Sequence, residues 1–143
     1  INDNDDIDLN QSGIDNHVQY KTDNSDIKFF TSFLSSKKEN SSDQLRRPEK
    51  VYGLSYLKTF NKNKYSEFDM NISYKHYGKH FDTHSSNFST IEMDSTDIVD
   101  INLNKKLNNS SVFFRISNLF DENYQRPHGY NQEKRQIRVG LKY

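Results

Sequence analysis

Apolar and polar residues alternate with a period of two along several stretches of this chain, the pattern of a strand with one dry and one wet face. The last stretch is the clearest: Ile137, Val139, Leu141 and Tyr143 alternate with Gln136, Arg138, Gly140 and Lys142. Phe68, Met70, Ile72 and Tyr74 alternate in the same way with Glu67, Asp69, Asn71, Ser73 and Lys75, and Val99, Ile101 and Leu103 with Asp100, Asn102 and Asn104. A helical period does not fit these runs. Further strands are expected over residues 14–21, over 51–60 with Tyr52, Leu54, Tyr56 and Phe60 on one side, and over 111–120 with Val112, Phe114 and Ile116. Residues 27–36 are apolar on both faces. The expected fold class is all-β, an antiparallel meander of about seven strands.

The connections alternate too. Residues 22–26, 61–64 and 108–110 are short and rich in Asn, Asp, Ser and Lys, as hairpin turns require. Between them lie longer polar loops at 37–49, 78–90 and 121–134, and both prolines, Pro48 and Pro127, fall in these loops rather than in strands. One rim of short turns and one of long loops is the layout of a membrane β-barrel, with turns facing the periplasm and loops the exterior. Seven strands are an odd number, whereas bacterial single-chain barrels have even numbers, so closure within this chain is not expected and the sequence reads as part of a larger wall. A closed eight-stranded barrel would need a strand from the acidic start, whose composition argues against one.

Composition sharpens this reading. Only 31% of the 143 residues are hydrophobic, too few for an ordinary soluble core, and the aromatics are nine Tyr and ten Phe with no Trp, residues that favour strands. The mean hydropathy of −1.05 goes with the absence of any apolar run of the roughly 18 residues that a membrane helix needs, which excludes a helical span but not a barrel. Twenty basic residues balance twenty acidic ones, so charge suggests neither nucleic acid nor a polybasic membrane patch. The absence of Cys excludes disulfides and thiolate chemistry. Residues 1–10 show no basic segment followed by an apolar one, so no signal peptide is expected there.

Several segments resemble the C-terminal barrel of TonB-dependent outer-membrane receptors, particularly those similar to vitamin B12 receptors. Residues 115–124 (RISNLFDENY) look like the penultimate strand of that family and the corner after it, carried by Asn118, Leu119, Phe120, Asp121 and Tyr124. Residues 45–50 (LRRPEK) and 77–82 (YGKHFD) are similar to two further family segments, and Gly13 fits the opening of the first strand. Two departures stand out: Glu133, Lys134 and Arg135 replace a Gly-Arg pair, and Tyr143 stands where such barrels commonly end in Phe. The resemblance implies that residues 1–143 are the C-terminal segment of a receptor barrel of about 22 strands whose plug domain is not in this sequence. It implies location in the outer membrane of a Gram-negative bacterium and import of a scarce nutrient such as cobalamin or a ferric siderophore, energised by the TonB complex through the plug.

Candidate ligand contacts are the outer-loop residues Tyr77, His80, Phe81, Arg126, His128 and Tyr130, which offer ring faces and hydrogen-bond donors; interfacial girdle or loop packing is the plainer alternative. For Asn118 and Asp121 the plainer reading is structural, since short polar side chains can bond the local backbone where a strand stops. His76, His80 and His84 recur every fourth residue, but in an extended strand they lie about 13 Å apart, too far to share one ion; only a folded loop could join His80 to His84. The acidic start, with Asp3, Asp5, Asp6 and Asp8, lacks the Gly and terminal Glu of a calcium loop. No nucleophilic triad or phosphate loop is recognisable, so no enzyme, metal or cofactor is expected. The rivals are a passive porin and a soluble β-sandwich binding module.

Overall fold

In a computed structural model, residues 9–38, 45–60 and 66–143 are described. The acidic start and the turn expected at 61–64 lie outside these residues. The strands are β1 (Leu9–Lys21), β2 (Ser25–Lys38), β3 (Lys50–Phe60), β4 (Ser66–Tyr77), β5 (His80–Thr83), β6 (Thr90–Met93), β7 (Thr96–Leu107), β8 (Ser110–Ser117) and β9 (Gln136–Lys142). Seven form one antiparallel sheet in the order β1-β2-β3-β4-β7-β8-β9, a meander as the alternation predicted; β5 and β6 pair separately as a small hairpin. Within the described residues the sheet does not close, and β1 and β9 are its edges.

Register places like residues side by side. Ile72 lies opposite Tyr56 on one side and Ile101 on the other, and Ile101 in turn opposite Ile116 and Ile116 opposite Ile137. The expected faces are therefore continuous across strands. One face carries Val18, Phe29, Leu54, Tyr74 and Val99, each the cross-strand neighbour of the next. The other carries polar pairs: Ser55 bonds Asn71 at 3.2 Å, Thr59 bonds Asp69 at 2.7 Å, and the Arg115 guanidinium bonds Asn102 at 2.6 Å.

No hydrophobic residue among those described is buried. Val18, Ile137, Val139 and Leu141 are each more than 60% exposed, so no layer among the described residues covers the apolar face there. Polar groups on that face gather toward its two ends, apart from Asn16, whose amide donates to the Thr31 hydroxyl at 3.3 Å between the apolar pairs Ile14–Phe33 and Val18–Phe29. At the turn end the Lys58 ammonium reaches Asn24 and Ser25, both at 3.0 Å. At the loop end His76 and the Tyr74 hydroxyl both bond Asp97, at 2.8 and 2.6 Å, and the Tyr52 ring stacks on His76 at 4.4 Å.

The apolar band runs obliquely to the ladder. Followed across the register, Val139 leads through Phe114, Leu103, Met70 and Lys58 to Ser25, at the turn end of β2, whereas the apolar residues of β2 centre near Phe29. That offset of about four residues, about 13 Å over five strand spacings of about 4.8 Å, makes a slope near 30°. Strands of a barrel wall tilt by a comparable amount. Along β3, Tyr52 to Phe60 spans about 27 Å, or about 23 Å after that tilt, close to the roughly 25 Å apolar belt of an outer-membrane barrel.

Two glycines on the polar face lie under aromatic rings of the neighbouring strand. A Cβ at Gly53 would meet Phe30 Cε1 at 2.5 Å and the Tyr74 carbonyl at 2.7 Å, and one at Gly140 would meet the Phe113 ring at 2.4 Å. Phe30 is the register partner of Gly53 and Phe113 that of Gly140. Such a ring covers the backbone that a glycine leaves bare and pins the register. This explains why residues 27–36 read as apolar on both faces.

Candidate ligand site at the loop end

The loop rim is more structured than its composition suggested. The region read as one polar loop at 78–90 contains β5 and runs into β6 as a hairpin. The β5 strand carries no hydrophobic period, because the residues it turns inward, His80 and Asp82, are polar and buried rather than apolar. Gly78 starts the hairpin by donating to the Lys50 carbonyl at 2.7 Å.

Asp82 joins three segments. Its side chain is fully buried; Oδ1 accepts from the Arg46 guanidinium at 2.8 Å and from the Thr83 N–H at 2.7 Å, and Oδ2 from the His128 N–H at 2.7 Å. Burial pushes the carboxyl pKa up, but the hydrogen bonds from Arg46, His128 and Thr83 outweigh it and hold the group below its ordinary value. The Arg46 N–H also donates to the Phe81 carbonyl at 2.6 Å, and Leu45 bridges Phe81. The LRRP segment is thereby clamped along β5.

The corner after β8 is held by its own side chains. Asn118 and Asp121 both have positive φ, 53° and 59°, which Asn and Asp tolerate when their side chains bond nearby backbone. Asn118 accepts from the Glu122 N–H and donates to the Glu122 carbonyl, both at 2.8 Å, while Asp121 accepts from the Arg135 N–H at 2.8 Å, just before β9. Leu119 donates its N–H to the Val99 carbonyl at 2.8 Å, and Phe120 is exposed. The polar side chains of this corner are engaged with backbone.

From this corner the chain rises to the segment holding Arg126, whose peptide bond to Pro127 is cis. Arg126 is fixed at both ends of its peptide unit: its N–H donates to the Tyr130 carbonyl at 3.0 Å and its carbonyl accepts from Gln132 at 2.7 Å. Gly129, with φ 86°, packs so closely on Ser85 that a Cβ would come within 2.7 Å of the serine Cβ. His128 Nδ1 accepts from the Ser85 N–H at 3.1 Å, and its ring lies 4.6 Å from that of His84. The last loop thus docks on the β5–β6 hairpin.

Of the sequence-derived candidates, Tyr77 and Arg126 come together directly, with the guanidinium carbon 3.7 Å from the ring centroid. His80 is buried close by, its Nδ1 3.4 Å from the Gly78 carbonyl; burial lowers its pKa, Arg126 lowers it further, and the Gly78 and Asp82 interactions oppose this. His128 faces Ser85 and His84 instead. His84 pairs with His128 rather than His80, and no group of three metal-ligating side chains occurs among the described residues. Phe81 lies against Leu45, and Tyr130 is exposed at the loop tip.

Lys75, Phe30 and Asp82 join the site through contacts that no sequence pattern marks. Lys75 Nζ stands 5.5 Å from the Tyr77 ring and 6.0 Å from the Phe30 ring. Phe30, Lys75, Tyr77, Asp100 and Tyr124 line one concave pocket on the polar face. Burial, with Tyr77 nearby, raises the Tyr124 phenol pKa against the lowering effect of Arg126, so the phenol stays protonated. The only sequence signal for Lys75 was its place two residues before Tyr77, on the same face of one strand.

No family model matches the sequence, and no curated protein matches it. Among solved structures, the chain is similar to a chain of the FpvAI–pyocin S2 complex, with a TM-score of 0.81 and 12% identity over 94% of this chain and 20% of that one. It is also similar to the FrpB iron transporter from Neisseria meningitidis (F3-3 variant), with a TM-score of 0.66 and 15% identity over 93% of this chain and 23% of the transporter. The likeness is one of fold. The chain spans about a fifth of the length of these structures.

Proposed function

We propose that this chain is a C-terminal wall segment of an outer-membrane β-barrel receptor that imports a scarce nutrient, with TonB supplying the energy through a plug region of the parent protein. The observation that carries the reading is the sheet's exposed apolar face, with polar groups toward both ends and no buried hydrophobic residue behind it among those described. In water such a face costs about 25 cal/mol per Å², whereas lipid accepts it. The opposite face, rich in charged and amide side chains, suits a hydrated lumen. The fold shared with an iron transporter over almost the whole chain supports the same reading. A soluble sandwich would need a second layer over Val18, Leu54 and Val139, all of which are exposed.

The segment's role is transport rather than catalysis, and the nutrient is of the cobalamin or ferric siderophore class, captured by the outer loops around residues 78–90 and 126–130. Cells carrying the full-length parent should lose concentrative uptake when TonB is deleted, because a passive wall does no work. Undiminished uptake in that strain would replace the receptor reading with a passive porin.

A further inference from the structure

The geometry points to an anion-binding site on the polar face under the last loop, where Arg126 and Lys75, with the rings of Tyr77, Tyr124 and Phe30, take the acidic oxygens of a small ligand that also offers an apolar ring. The inference rests on the receptor reading only in treating this face as open to solutes.

Two cations converge on one ring. The Arg126 guanidinium lies 3.7 Å from the Tyr77 centroid and the Lys75 ammonium 5.5 Å from it. Each is attracted by the ring's negative face, but they repel one another, and a ring does not neutralise charge as a carboxylate does. Two cations of the neighbouring hairpin region are paired instead with carboxylates: Arg46 with Asp82 at 2.8 Å and Lys79 with Glu92 at 2.7 Å. Among the described residues, neither Arg126 nor Lys75 has an acidic partner. The carboxylate that lines the pocket beside Lys75 and Tyr77, Asp100, accepts from the Asn118 N–H at 2.9 Å. Arg126 is a half-buried residue whose guanidinium makes no hydrogen bond among the described residues, and such a planar fork fits a carboxylate or phosphate in a bidentate manner.

The surroundings are built to hold this arrangement. The peptide unit of Arg126 is bonded at both ends, and its loop is tied to the hairpin by the His128 N–H on Asp82. Gly53 lets Phe30 lie across β3 toward Lys75, giving an apolar wall beside the charges. Tyr124, kept as a phenol, adds a neutral donor. A preordered site of this kind loses little entropy when it binds. Because the chain's formal net charge is zero, the anion preference arises from this local placement.

The test uses the full-length parent protein in detergent and two probes that share one aromatic ring, the dianion phthalate and its uncharged dimethyl ester. Saturation-transfer NMR or calorimetry should show phthalate binding, weakened by salt, with the ester binding at least tenfold more weakly. Arg126→Gln and Lys75→Gln should each lower phthalate affinity by about tenfold, through lost charge-assisted bonds. Lys142→Gln, which removes a cation from β9, should not. Lys75 is exposed, so its variant tests the site even if Arg126→Gln disturbs the loop. Equal binding of the two probes, no phthalate binding, or unchanged affinity in both site variants would overturn the proposal. Binding to the purified protein needs no TonB, so these outcomes are independent of the uptake test.

Discussion

Asp82 accepts a 2.7 Å hydrogen bond from the backbone N–H of His128, linking the β5–β6 hairpin to the last loop across 46 residues of sequence. Asp82→Ala removes the buried acceptor for that amide and for the Thr83 N–H, and each buried donor left unpaired costs about 1–3 kcal/mol. The last loop should then open more readily. Hydrogen exchange at His128 and protease nicking near Gly129 should both quicken, while the strands keep their protection.

The same link has a defined pH dependence. The folded Asp82 carboxyl titrates below its ordinary value of 3.8, so its stabilisation is complete above that value and is lost as pH falls through the lower, folded pKa. Protection of the His128 amide, corrected for intrinsic exchange, should be flat from pH 8 to about 5 and should drop only below about pH 4. A midpoint near 6 would show that a histidine governs the contact instead.

Ile72 and Asn71 are adjacent but face opposite sides of the sheet, Ile72 between Tyr56 and Ile101 and Asn71 between Leu57 and Asn102. Ile72→Arg in the full-length parent should cost about 2–4 kcal/mol if it lies near the bilayer midplane, and Asn71→Arg much less. Urea titration of refolded protein in lipid measures both. Equal costs would remove the membrane assignment of the apolar face.

Gly53→Ala places a methyl where Phe30 and the Tyr74 carbonyl already stand at 2.5 and 2.7 Å. The ring can turn aside but the carbonyl belongs to the neighbouring strand, so a loss of about 1–3 kcal/mol is expected from overpacking. Phe30→Ala in the same background should recover only part of this loss, a distinction that a double-mutant cycle reads directly.

Produced alone, residues 1–143 should not form a stable monomeric barrel, because β1 and β9 are edges whose backbone groups cost several kcal/mol each when left unpaired in lipid. Aggregates or oligomers are expected in detergent. A folded monomer with heat-modifiable migration on gels would show that the chain closes on itself.

Much of this fold was legible in the sequence because its signal is local. A period of two sets which side of a strand a residue faces, so Ile72 and Asn71, or Val139 and Arg138, could be sorted without knowing their neighbours, and short Asn-rich turns fixed the meander. The bonding role open to Asn118 and Asp121 was also readable, since their partners lie within a few residues or just before the next strand. The hairpin of β5 and β6 was not, because its inward residues His80 and Asp82 are stabilised by hydrogen bonds rather than by apolar burial and leave no hydrophobic period. Nor could any spacing rule bring Arg126 onto Tyr77, or Arg46 and His128 onto Asp82. Those contacts exist because the register of seven strands delivers three loops to one rim, and long-range register is a property of the assembled sheet that no single segment encodes.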